Sequence, residues 1–111
     1  MIVYTQESQL DLYQIEDYLG SQVGVNSAAV FTDSLVEAID ELAVNDYGHL
    51  YLADPWYHYQ VKNLTIKKKY RVFYWYSEDK SCIYILRIIH GSRNVDGIMR
   101  ESTYLLTQLS P

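Results

Sequence analysis

The sequence predicts an α+β domain in the order β-α-α-β-β-β, with a helical hairpin packed on one face of an antiparallel sheet and a short C-terminal segment beyond it. Three observations carry that expectation. Two runs rich in β-branched and aromatic residues, Tyr70 to Tyr76 and Cys82 to Ile89, flank the polar loop Ser77-Glu78-Asp79-Lys80-Ser81, which is short enough to join antiparallel neighbours. Upstream, apolar residues recur at helical spacing in two consecutive segments joined by a short link. Finally, both helical segments come before the last three strands; a ferredoxin-like arrangement would place strands between its two helices.

Ile2-Val3-Tyr4-Thr5 is a short β-prone run and the first strand. Ser8, with Asp11 three residues on, resembles a capping box and opens a helix whose Leu12, Ile15 and Leu19 share one face, with Gly20 as its stop. After the link Ser21 to Val25, Asn26 or Ser27 caps a longer helix carrying Ala28, Phe31, Leu35, Ala38, Ile39 and Leu42 on its apolar stripe. Asp33, Glu37, Asp40 and Glu41 occupy mainly its other faces. Periodicity breaks from Asn45 to Tyr59, where Asn45-Asp46-Tyr47-Gly48 reads as a helix stop and Asp54-Pro55 as a turn. This loop is dense in Tyr47, Tyr51, Trp56, Tyr57 and Tyr59, rings that cover a core edge, stack on bases or anchor a protein partner, the first being the commoner arrangement. Val61, Leu64 and Ile66 mark another strand, and Lys67-Lys68-Lys69 is a basic corner before Tyr70. Beyond the hairpin, Asp96-Gly97 signals a turn, and Ile98, Tyr104, Leu105, Leu106 and Leu109 suggest a last short helix or a segment that orders against a partner.

The chain of 111 residues suits one domain, 1–111, able to bury a core without metals or disulfides. Its single cysteine, Cys82, excludes an intrachain disulfide and fits a reducing cytoplasm; no leader or membrane span is apparent. The three histidines are widely separated, so neither a metal nor a cofactor is expected. The net charge of -5 conceals an asymmetry: all 9 Lys and Arg residues lie between Lys62 and Arg100, whereas most acidic residues precede Lys62. Such a division suits a face that meets a polyanion or an acidic partner, the alternative being a solvated surface that is merely lopsided.

Tyr70-Arg71-Val72-Phe73-Tyr74, followed by Leu86-Arg87-Ile88-Ile89-His90-Gly91-Ser92-Arg93-Asn94, resembles the ParE branch of the RelE/ParE toxins of bacterial type II toxin-antitoxin systems, the ParE-like plasmid stabilisation toxins. The resemblance implies the α+β fold already read from periodicity. It also implies a toxin that inhibits DNA gyrase without nuclease chemistry and is neutralised by a cognate antitoxin. Two alternatives stand beside it: a RelE-like ribosome-dependent mRNA endonuclease, and a family member that keeps antitoxin binding without toxicity.

Arg87 interrupts an apolar strand and therefore needs a water-lined concavity or a paired carboxylate, because an unpaired buried guanidinium is costly. With Arg71, Arg93 and Trp75 it forms the expected partner-binding set. Under the nuclease alternative, His90 would be the general acid or base, with Arg93 and Arg71 stabilising charge on the phosphate. The plainer arrangement, with His90 bonded to a neighbouring backbone group and Arg93 paired with a carboxylate such as Asp96, ranks ahead of catalysis. The acidic balance also disfavours entry into a ribosomal RNA site, so the reading favours a non-enzyme.

Overall fold

A computed structural model describes residues 1–109. Strand β1 spans Ile2–Tyr4, helix α1 Gln6–Val23 and helix α2 Val25–Asp40. Strand β2 (His49–Leu50) is followed by β3 (Lys62–Ile66), β4 (Tyr70–Ser77) and β5 (Cys82–His90), then by helices α3 (Val95–Glu101) and α4 (Leu106–Leu109). The sheet order is β1-β5-β4-β3-β2. The expected β4–β5 hairpin is its centre.

Three local expectations are corrected. Thr5, not Ser8, caps α1: its Oγ1 accepts from the Ser8 N–H at 3.1 Å. The expected link of five residues shrinks to Gly24, whose φ of 97° and ψ of 155° turn the chain between two nearly continuous helices. Gly20 lies inside α1, and α2 begins at Val25, ahead of Asn26 and Ser27. The sheet is mixed, because β1 runs parallel to β5, a pairing that a three-residue strand cannot announce. The aromatic loop contributes the two-residue edge strand β2.

Alternation along β4 sends successive side chains to opposite faces of the sheet. Tyr70, Val72 and Tyr74 meet Leu35, Ile39 and Leu42 beneath the helical hairpin. Phe73 points to the other face, where Tyr51, Trp56, Met99 and Leu105 close a second core. The tail therefore folds back over the sheet, and Asp96-Gly97 is no turn: both residues lie within α3, whose cap is Asn94, accepting from the Gly97 N–H at 3.2 Å. Part of the aromatic loop also covers the core, with Trp56 1% exposed. Burying even a Phe-sized side chain contributes about 1.5–3 kcal/mol, a gain offset in part here because the buried Trp56 Nε1 has no hydrogen-bond partner among the described residues.

Candidate functional site

The end of the β4–β5 hairpin is shaped by a bulge. The register passes from Phe73 opposite Arg87 to Tyr74 opposite Ile85, so one extra β5 residue is accommodated there. Because β1 pairs only as far as Ile85, the outer edge of β5 beyond that point lacks a strand neighbour. Side chains take its place. Thr5 Oγ1 donates to the Ile85 carbonyl at 2.8 Å, and Asp11 Oδ2 accepts from the Ile88 N–H at 2.9 Å.

Asp11 also receives the Arg87 guanidinium, Nε at 2.8 Å and Nη2 at 2.9 Å, a bidentate pair. Arg87 Nη1 donates to Ser102 Oγ at 2.7 Å. The hydrogen bonds to Asp11 raise the Arg87 pKa further, burial opposing them. Thus Arg87, expected at the partner-binding surface, spends these donors inside the chain, tying α1 and the end of α3 to β5. The paired carboxylate its apolar surroundings demanded is Asp11.

Beside this lock, α1 and the end of the hairpin enclose a cleft of about 550 Å³. Its floor is apolar, formed by Ile15, Leu19 and Ile88; His90, Arg93 and Lys69 stand around it. Lys69 is brought there by a tight turn in which Lys67 and Lys68 both adopt positive φ, and the Gly91 N–H donates to the Lys69 carbonyl. His90 packs edge-on against Tyr70, ring centroids 5.2 Å apart. Its Nδ1 lies 3.1 Å from the Ser92 backbone N–H and 2.7 Å from Ser92 Oγ. A backbone N–H can only donate, so Nδ1 accepts and the neutral imidazole carries its proton on Nε2.

Arg71 is elsewhere. It lies on the opposite face of the sheet, its guanidinium carbon 5.1 Å from the Phe73 ring centroid and 5.8 Å from that of Tyr51, while Nη2 donates to Asn63 Oδ1 at 2.8 Å. Trp75 shares that face and packs against Tyr84 at 5.9 Å. The fold brings His90 and Arg93 to one cleft and separates both from Arg71 and Trp75 by the sheet. Asp96 is engaged by the Tyr51 hydroxyl at 2.6 Å; among the described residues it has no salt bridge to Arg93.

Asp11, Ser102 and Lys69 were not singled out as site residues from sequence. The only signal was indirect: an arginine within an apolar strand requires a carboxylate, but nothing local says which one. Among the described residues, no three His, Cys, Asp or Glu side chains converge as a metal site would need.

A family model, "ParE toxin of type II toxin-antitoxin system, parDE", matches residues 2–95. No curated protein sequence matches. Among solved structures, the chromosomal ParDE TA system from P. aeruginosa is similar, with a TM-score of 0.66 and 22% identity over 80% of this chain and 92% of that one. The toxin-antitoxin complex RelBE2 from Mycobacterium tuberculosis is more distant, with a TM-score of 0.51 and 15% identity over 81% of this chain and 95% of that one. At these identities the structural likenesses speak for the fold.

Proposed function

From the premise that this chain belongs to the ParE toxin family of type II toxin-antitoxin systems, we propose that it arrests growth by binding DNA gyrase in the cytoplasm, and that a cognate antitoxin neutralises it. The observation that supports inhibition by binding, rather than RNA cleavage, is the division of His90 and Arg71 between opposite faces of the sheet. General acid-base chemistry at a phosphodiester needs the proton-transfer group and the charge-stabilising cations within hydrogen-bond reach of one substrate. Here the hairpin cannot present all three of His90, Arg93 and Arg71 to one phosphate without being rebuilt. The surroundings favour the same reading, since the helical half carries its acidic residues without a Lys or Arg and would be repelled by RNA.

The test has two arms. Purified protein added to gyrase should inhibit supercoiling of relaxed plasmid, and prior mixing with the antitoxin should restore it. Induced cells should filament with their bulk mRNA intact. Codon-positioned mRNA cleavage that disappears in His90→Ala would overturn the proposal in favour of the endonuclease. Normal growth at verified soluble expression would leave a non-toxic family member.

A further inference from the structure

Helix α1 carries opposite charges on its two flanks. On one flank, against the start of α2, a hollow of about 570 Å³ is lined by Tyr13, Glu16, Asp17 and Val25. On the other stands the cleft with Lys69 and Arg93. Gln14 and Tyr18 line both concavities, so one ridge of a single helix separates the acidic flank from the basic one. The two flanks also lie at the same level along α1, since residues 13–21 line the first and residues 11–19 the second. Among the described residues, none of Glu16, Asp17, Lys69 and Arg93 is in a salt bridge. The outer side of the helix is rich in large side chains as well: Leu10 is 55% exposed, Tyr13 69% and Tyr18 64%.

We propose that this surface recognises a second copy of the chain, through a twofold contact between the two α1 helices. A twofold interface is self-complementary: residue i of one copy meets residue j of the other, and j meets i. The charges choose the direction of the axis. An axis running along α1 sets the helices side by side and parallel, ridge on ridge, and lays the acidic flank of each copy against the basic flank of the other at the same level. An axis across the helix would make them antiparallel and bring like charges together. In the parallel contact Asp17 meets Arg93 and Lys69 of the second copy, the reciprocal pairs form on the far side of the axis, and Tyr18 packs near its own counterpart. A second copy fits better than a nucleic acid strand, whose uniform charge would meet Glu16 and Asp17. One helix with its flanks falls short of the roughly 800 Å² per partner of a tight complex, so the association should be micromolar and should fade with salt. The inference does not depend on which target the toxin meets.

Sedimentation equilibrium of the purified chain, from micromolar to hundred-micromolar concentration and in low and high salt, reads the association. Circular dichroism first confirms that each variant is folded. Wild type should pass from monomer to dimer as concentration rises and dissociate as salt is added. Asp17→Lys and Arg93→Glu should each weaken self-association by about tenfold or more, because the twofold turns two attractions into two repulsions. The control Lys80→Glu, a charge reversal in the distant β4–β5 turn, should leave it at the wild-type value. Mixing the two single variants should restore the dimer, since the altered residue of each then faces an opposite charge in the other; a damaged fold could not be rescued in this way. A wild type that stays monomeric throughout would overturn the proposal and leave the α1 surface to a different occupant. Wild-type self-association in both single variants would place the dimer contact elsewhere and overturn it equally.

Discussion

Replacing Asp11 by alanine withdraws three hydrogen-bond acceptor interactions at once: Arg87 Nε at 2.8 Å, Arg87 Nη2 at 2.9 Å and the Ile88 N–H at 2.9 Å. The Arg87 and Asp11 side chains are only 16% and 8% exposed, so water replaces the lost partner poorly. Breaking a buried ion pair from one side costs about 3–5 kcal/mol, because a charge is left without its partner. Arg87 keeps Ser102 Oγ at 2.7 Å and some solvent contact, which places Asp11→Ala near the lower end, about 3 kcal/mol. Domains are stable by only about 5–15 kcal/mol, so a large share of the total would be lost. Urea unfolding followed by circular dichroism reads this directly: with a slope of about 1.5 kcal/mol/M, the midpoint should fall by roughly 2 M. Arg87→Met should also destabilise, by stranding the carboxylate. The double variant should be more stable than the sum of the single losses predicts, with a coupling of about 2 kcal/mol. An Asp11→Ala loss below about 1 kcal/mol, or additive losses, would show that the pair does not hold α1 to the sheet edge.

Three further outcomes follow from the same structure. Burial pushes the Asp46 carboxyl up, but hydrogen bonds from Lys62, Tyr74 and the Gly48 N–H outweigh it and hold the pKa below its ordinary 3.8. Its stabilising contribution is therefore present above pH 3.8 and lost as pH falls through the lower folded value, so acid unfolding profiles of Asp46→Asn should be flatter than wild type in that window. Burial and the hydrogen bond to Asp96 push the Tyr51 phenol up to about 12; its contribution is complete below pH 10 and is lost as pH rises through the folded value. An ultraviolet titration should show Tyr51 ionising late in wild type, and Tyr51→Phe, missing the 2.6 Å bond that ties the loop to α3, should unfold at lower urea by about 1 kcal/mol. Gly24→Ala, at φ 97° and ψ 155°, should cost about 1–3 kcal/mol in the same assay by straining the link between α1 and α2; an unchanged midpoint would mean that the turn relaxes freely.

Much of the architecture was legible because it is written in short-range patterns. The stripe of Leu35, Ile39 and Leu42 does lie in the core beneath the helical hairpin, and the aromatic strands do pair, with Ser77 joining β4 so that the connecting loop is four residues, 78–81. Helix boundaries were less legible: Ser8 has a capping residue's chemistry but sits fully buried in the first turn, where its hydroxyl donates to the Thr5 carbonyl at 2.9 Å. Gly97 is a turn former by propensity, yet it lies in α3, where packing of Val95 and Met99 on the second face outweighs its weak helix preference.

For the candidate site, sequence by itself determined the family motif, the basic character of the hairpin and the need of Arg87 for a carboxylate. Which carboxylate, 76 residues away, was decided by tertiary structure. So was the separation of Arg71 from His90, because adjacent sheet positions point to opposite faces and each face acquired its own core. Strand and helix patterns repeat every two or three to four residues and can be read within a short window. The partner of a buried charge, the side that a tail covers and the wall opposite a histidine depend on contacts between distant segments, and only the packed chain brings those segments together.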